Sequence, residues 1–206
     1  MAVEFENTAV FNIEGAMRGM TMPKKGKTDT SQDVIGENDY RIACNLVRAG
    51  FKDNAAHCKF LRQILLSVDI TAPLYWWSEF DTYRIGVTAD SESTMHTLLK
   101  EAQDLTVDDF DHDGFEAIFL LQIIKQIQGI ADLNWLEKDK IVAVKRILPT
   151  SFLQKRHITM NYEVARNMYK QRKNHRLSGW NTDFVNWAES LPYSEFVTGK
   201  GIIDNA

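Results

Sequence analysis

Five protonatable basic side chains crowd one stretch of an otherwise acidic chain: Arg166, Arg172, Lys173, His175 and Arg176. A guanidinium suits phosphate or carboxylate because its planar fork of donors matches two oxygens. Arg166 and Arg172 are six residues apart, which separates them by about 120° around a helix. Arg172 and His175 fall on one face if that helix continues, so the two can meet one anion. A solvated helix C-terminus, where cations are favoured anyway, accounts for the same pattern. A second set stands upstream. Arg84 offers fixed charge, and Ser91, Ser93 and Thr94 sit where a helix could begin, with hydroxyls and amides able to hold a phosphate. The plain alternatives are a surface ion pair of Arg84 with Asp81 or Glu79, and ordinary helix capping by the serines. Arg84, the Ser91–Ser93 turn and the Arg172–His175 helix end are expected to form one shared anion site.

Two other matches fail on their own chemistry. Gly26-Lys27-Thr28 resembles the end of a phosphate-binding loop, but Thr21 stands where the leading glycine is needed. Asp109, Asp111, Asp113 and Gly114 copy the first half of a calcium loop, yet Leu120 occupies the closing glutamate position. The acidic loop with Asp113 capping the following helix is the simpler reading. The five histidines form no His-x-x-x-His pair, and no metal is expected.

The elements that must position these groups read as a mixed α/β (α+β) fold, with a central sheet packed by helices. The 206 residues, 44% hydrophobic, suffice for a single domain over 1–206. Net charge of −4 gives no footprint for duplex nucleic acid. Cys44 and Cys58 lack ligand or Cys-x-x-Cys spacing and read as reduced thiols. The N-terminus lacks the order of a signal peptide, and the apolar run at 118–130 is broken by Lys125 and three glutamines. A cytoplasmic protein with no membrane contact is expected.

Along the chain, 3–13 reads as a strand. Residues 19–37 read as a mobile loop, because glycine, Pro23 and charges cluster there. A helix from Asn38 should stop at Gly50, a second helical segment covers 54–64, and Leu65–Ile70 is a buried strand. Pro73 opens an aromatic helix. Tyr83–Val87 reads as a strand and Ser91–Lys100 as a helix. Helices follow at 115–131, 135–147, 159–173 and 180–191, then a loose tail from about 195. Tyr75, Trp76 and Trp77 are adjacent, so one helix face cannot bury all three, and an interface is expected there.

The segment AAHCKFLRQILLSVDITAPLYWWSEFDTYRIGVTADSESTMH, residues 55–96, resembles the core of the flavin-dependent thymidylate synthases. There a histidine-bearing helix precedes a strand, and an Arg-His-Arg signature followed by a serine closes the block. Thr82-Tyr83-Arg84 stands in the place of the signature, and Ser91 or Ser93 in that of the serine. Residues 147–187 repeat a second part of the family's order, with Arg172 matching its nucleotide-contacting arginine; the family's Ala-Gln and Glu-Ile-Arg elements are not present.

The resemblance implies reductive methylation of dUMP, with FAD carrying hydride and a folate supplying carbon, in a homotetramer. It implies that His57, Tyr83 and Arg84 contact the flavin, Tyr83 stacking where the family has histidine. Ser91, Ser93, Arg172 and His175 would bind the nucleotide. Thr82 and Tyr83 in place of Arg-His favour a rival, a non-catalytic nucleotide- or anion-binding protein on the same scaffold. A protein-interaction module is the third reading.

Overall fold

The computed structural model describes residues 3–25, 35–53, 57–93 and 97–202. Four strands, β1 (Glu4–Phe11), β2 (Leu65–Pro73), β3 (Thr88–Ser91) and β4 (Leu153–Asn161), form one antiparallel sheet in the order β1-β2-β4-β3. In β2 the alternation is direct: Leu66, Val68, Ile70 and Ala72 are fully buried while the residues between them are partly exposed. Pro73 ends the strand in extended backbone and starts α3 (Leu74–Phe80) at once. The first free amides of α3 are satisfied by Phe152 and Thr150 carbonyls, at 3.0 Å each.

The chain divides into two compact units. The first is built from Ile70–Thr82 and Asp90–His157, with the chain start through Glu4. Its aromatic helix interlocks Trp76, Trp77 and Phe80 at ring separations of 5.0–5.3 Å, all three buried. Tyr75 is half-buried and donates to Asp111 Oδ2 at 2.5 Å. The expected aromatic interface is therefore not on α3, because the helix turns both tryptophans inward. The helices α4 (Ala117–Asp132) and α5 (Glu137–Ile147) bury Leu120, Ile124, Ile127 and Val144. The opposite face of α4 and its lead-in expose Phe115, Ile118, Phe119 and Leu121.

The second unit holds Phe5–Asp69, Tyr83–Ala89 and the chain from Ile158 onward. It contains α1 (Ile13–Lys25), α2 (Glu37–Asp53) and α6 (Tyr162–Arg172). A π-helical turn at Gly179–Phe184 leads into α7 (Val185–Ser190), and α8 (Glu195–Thr198) follows. Its core gathers Met17, Val47, Leu61, Met168, Trp180 and Phe196, each 1% exposed or less.

Several expectations change here. Residues 19–25 are helical, not loop: α1 buries Ala16, Met17 and Thr21 along one side, and that burial outweighs Gly15, Gly19 and Pro23. Gly15 is required, since a Cβ there would lie 2.1 Å from Asn12 Oδ1. Helix α2 runs past Gly50 to Asp53. Lys59–Arg62 is a 3₁₀ turn, and residues 54–56 lie outside the described residues. Tyr83–Val87 is a turn, with the strand at Thr88–Ser91, and residues 97–100 form turns, not a helix. The strand β4 replaces the first turn expected of the 159–173 helix. The tail from 195 begins with α8, whose Phe196, Val197 and Thr198 are buried. The Gly26-Lys27-Thr28 match lies outside the described residues.

Candidate functional site

Helix α6 opens with Asn161, whose side-chain oxygen accepts from the Val164 amide at 3.0 Å. It buries Tyr162, Ala165, Arg166, Met168 and Tyr169. Arg172, at the end of the helix, is only partly buried. The Tyr83–Val87 turn runs against this helix. Gly86 has φ of 76°, and a Cβ there would sit 3.2 Å from Val164 Cγ2. A glycine both permits the left-handed backbone and keeps the turn close.

That approach brings Tyr83 onto the end of α6. Arg172 Nε donates to the Tyr83 hydroxyl at 2.9 Å, and the hydroxyl donates to Gln171 Oε1 at 3.0 Å. The guanidinium carbon lies 5.5 Å from the Tyr83 ring centroid and 4.8 Å from that of buried Trp180. Both are cation–π distances, and such contacts strengthen where water is excluded. His175 meets the edge of Trp180 at 6.4 Å. Its Nδ1 accepts from the Leu177 amide at 3.2 Å and its carbonyl accepts from Asn181 Nδ2 at 2.7 Å. With Nδ1 accepting, the neutral imidazole carries its proton on Nε2. The arrangement can present cationic charge on an aromatic wall, which is suited to an anion joined to a planar ring.

The structure thus brings Tyr83, Arg172 and His175 together around Trp180. Arg84 follows Tyr83 in the chain and is exposed, as is His57 in the turn before Cys58. Ser91 and Ser93 belong to the first unit. Ser91 ends β3, and the Ser93 carbonyl accepts from both the amide and the hydroxyl of Thr97, at 3.0 Å each. A cleft of about 280 Å³ adjoins this turn. Glu92, Glu101 and Asp109 line it without a lysine or arginine, so its field opposes a phosphate. Thr94 and His96 lie outside the described residues.

Other assignments move. Asp81, an expected partner of Arg84, accepts from Arg156 Nη1 at 2.8 Å. Arg156 in turn lies 4.2 Å over the Trp77 ring. Arg166 leaves the basic cluster altogether. It is 2% exposed, and its Nε and Nη1 have no hydrogen-bond acceptor. Its Nη2 is 3.9 Å from Glu163, which Arg62 grips bidentately at 2.5 and 3.2 Å. In the acidic loop, Asp109 closes a capping box with Thr106, Asp111 receives Tyr75, and Asp113 accepts the Phe115 amide at 3.0 Å. Sequence reasoning missed Trp180 and Gln171 as members of the site. Gln171 precedes Arg172 directly, while Trp180 gave no local signal beyond being an aromatic at the start of a helix.

No protein-family model matches the sequence, and no curated protein matches it. Solved structures do. The chain superposes on the flavin-dependent thymidylate synthase ThyX from Helicobacter pylori complexed with FAD and dUMP, with a TM-score of 0.71 at 14% identity. The match covers 98% of this chain and 100% of that one. A second structure of the same enzyme with FAD and dUMP gives 0.70 at 13%, over 98% and 99%. The UMP/dUMP methylase PolB from Streptomyces cacaoi, bound with 5-Br dUMP, gives 0.63 at 11%, over 98% and 96%. The chain has the fold of the flavin-dependent thymidylate synthases. Among the described residues, no helix is long and apolar enough to cross a membrane.

Proposed function

We propose that this protein binds a dUMP-type nucleotide and methylates it reductively on this scaffold, using FAD and a folate. The observation that carries the reading is the end-to-end match with structures that hold dUMP or 5-Br dUMP. Arg172, with His175 beside it, holds the anionic part of the ligand; Arg84 adds charge from the neighbouring turn, and Tyr83 supplies a ring face. Ser91 and Ser93 were expected to hold the phosphate, but their acidic surroundings argue for a lesser part. The donor set of Tyr83, Arg84 and Arg172, aromatic and cationic, fits a flavin dinucleotide, with His57 as the further expected contact. Bound FAD would carry the hydride, while the chain supplies charge and orientation. The experiment is reconstitution with FAD followed by dUMP titration: a retained flavin absorption band and saturable dUMP binding are expected. Neither ligand binding at millimolar concentration would end the reading.

A second reading has its own support. The Tyr83 hydroxyl is engaged by Arg172 and Gln171, in the place where the resemblance puts a histidine. A nucleotide-binding protein without flavin fits that geometry. It predicts dUMP binding to a colourless protein that takes up no FAD.

A further inference from the structure

We propose a second ligand site, separate from the one above, for a small elongated molecule with anionic groups at both ends. It is a pocket of about 900 Å³ between the outer side of α2 and the segment around α8. That volume lies within the range of small-molecule sites. Helix α2 writes the same pair twice at a seven-residue interval, Asn38 with Arg41 and Asn45 with Arg48. In each pair the asparagine oxygen accepts from the arginine, at 2.8 Å for Arg41 and 3.0 Å for Arg48. Arg48 Nε also donates to the Ile202 carbonyl at 2.9 Å. These neutral acceptors orient both guanidinium groups without neutralising them.

The charges in the lining decide what enters. Lys200 is paired with Glu189 at 2.6 Å, and Glu195 accepts from the Tyr40 hydroxyl at 2.7 Å. Neither Arg41 nor Arg48 has a carboxylate within 4.0 Å among the described residues. The pocket therefore presents two oriented cations, with Glu37 as its remaining acid. Seven residues of helix separate the arginines by about 10.5 Å along the axis. Two phosphates at the ends of one metabolite span that gap, while a single inorganic phosphate reaches only one fork. The ligand class is a bisphosphorylated small metabolite.

The test uses the whole chain and isothermal titration with fructose 1,6-bisphosphate, inorganic phosphate and uncharged fructose. The bisphosphate is expected to bind at least tenfold tighter than phosphate, and fructose not at all. Arg41→Gln, an exposed position, should weaken the bisphosphate at least tenfold and leave the unfolding temperature unchanged. Arg48→Lys, which keeps charge but loses the fork, should weaken it as well. Equal affinity for phosphate and bisphosphate, or a bisphosphate affinity untouched by Arg41→Gln, overturns the proposal. Arg172→Ala serves as the separating control. It should leave bisphosphate binding intact while reducing dUMP binding, so either site can fail without the other.

Discussion

Arg172 lies between the rings of Tyr83 and Trp180 while its Nε holds the Tyr83 hydroxyl at 2.9 Å. One side chain is thus fixed by both stacking and a hydrogen bond. Arg172→Ala should weaken dUMP binding about tenfold or more, since a charge-assisted hydrogen bond contributes about 1.5–3 kcal/mol. Arg172→Lys should restore little, because an ammonium has neither the planar face nor the fork. Tyr83→Phe keeps the ring and loses the hydroxyl, so it should cost about 1 kcal/mol of stability with a smaller change in affinity. Titration calorimetry on the three variants checks the order. Equal dUMP affinity in all of them places the nucleotide elsewhere.

Arg166 and Glu163 make an opposite prediction for two ends of one ion pair. Arg166 is buried and only Nη2 approaches a carboxylate. Arg166→Met should leave stability unchanged or raise it, because an apolar side chain of similar length avoids the cost of burying an incompletely bonded cation. Glu163→Ala should lower stability by about 3 kcal/mol, by removing the acceptor shared with Arg62. Chemical denaturation of both variants decides; a marked loss in Arg166→Met would contradict the assignment.

Four tyrosines titrate above their ordinary value of 10.0. For Tyr40 the leading cause is the bond to Glu195; for Tyr75, Tyr162 and Tyr169 it is burial. Tyr169 is pushed up to about 12. The folded state thus keeps protons that the unfolded chain releases near pH 10, so their contribution is complete below that pH and shrinks above it. Unfolding temperature should fall steadily from about pH 10 upward, with tyrosinate absorbance lagging behind that of the denatured chain. Native absorbance that follows the denatured curve would show the four hydroxyls to be unshielded.

The outer face of α4 now carries the case for self-association that the α3 aromatics do not. Phe115 is 80% exposed and Ile118 63%, beside Phe119 and Leu121, a larger apolar patch than isolated chains usually leave in water. We expect a homo-oligomer, with a tetramer the state implied by the sequence resemblance. Ile118→Glu with Phe119→Glu should shift sedimentation toward the 23.7 kDa chain. If the unaltered protein sediments at that mass at micromolar concentration, the face has another use.

The division into two units runs through β2, between Asp69 and Ile70, and through β4, between His157 and Ile158. Each strand is continuous across its own division. Loss of either strand would remove material from both units, so the chain should unfold in one transition as a single domain. Far-ultraviolet dichroism and tryptophan fluorescence should give coincident midpoints, and two resolved transitions would separate the units thermodynamically.

What could be read in the chain followed from uninterrupted apolar pattern. Leu65–Ile70 and the helix after Pro73 were legible because their burial needs no distant partner to explain it. The strand β4 was not, because its inward positions include Gln154 and Arg156. Those polar residues belong there: Trp77 Nε1 donates to the Gln154 carbonyl at 2.9 Å and Arg156 covers the Trp77 ring. The tertiary partner supplies the reason, and an alternation rule cannot see it. Tyr83 and Arg172 were singled out by type and order, 89 residues apart, while Trp180 between their contacts was not. Ser91 and Ser93 had suitable hydroxyls, but the carboxylates facing their turn come from Glu101 and Asp109, which no local motif linked to them.

The π-helical turn at Gly179–Phe184 has a consequence for insertions and deletions. Bonding from i to i+5 houses one residue more than an α-turn in the same rise. Deleting Asn181 would restore the tighter winding and rotate everything beyond it by about 100°. Phe184 and Ala188 would leave the core, and Trp187 would lose both its stack on Phe5 at 4.8 Å and its bond to Thr8 at 3.0 Å. Substitution at Asn181 spares that phase, whereas loss of a single residue does not. An alignment of this chain with a purely α-helical counterpart therefore needs a one-residue gap here, and without it every position from Phe184 to Ser190 is compared with the wrong neighbour.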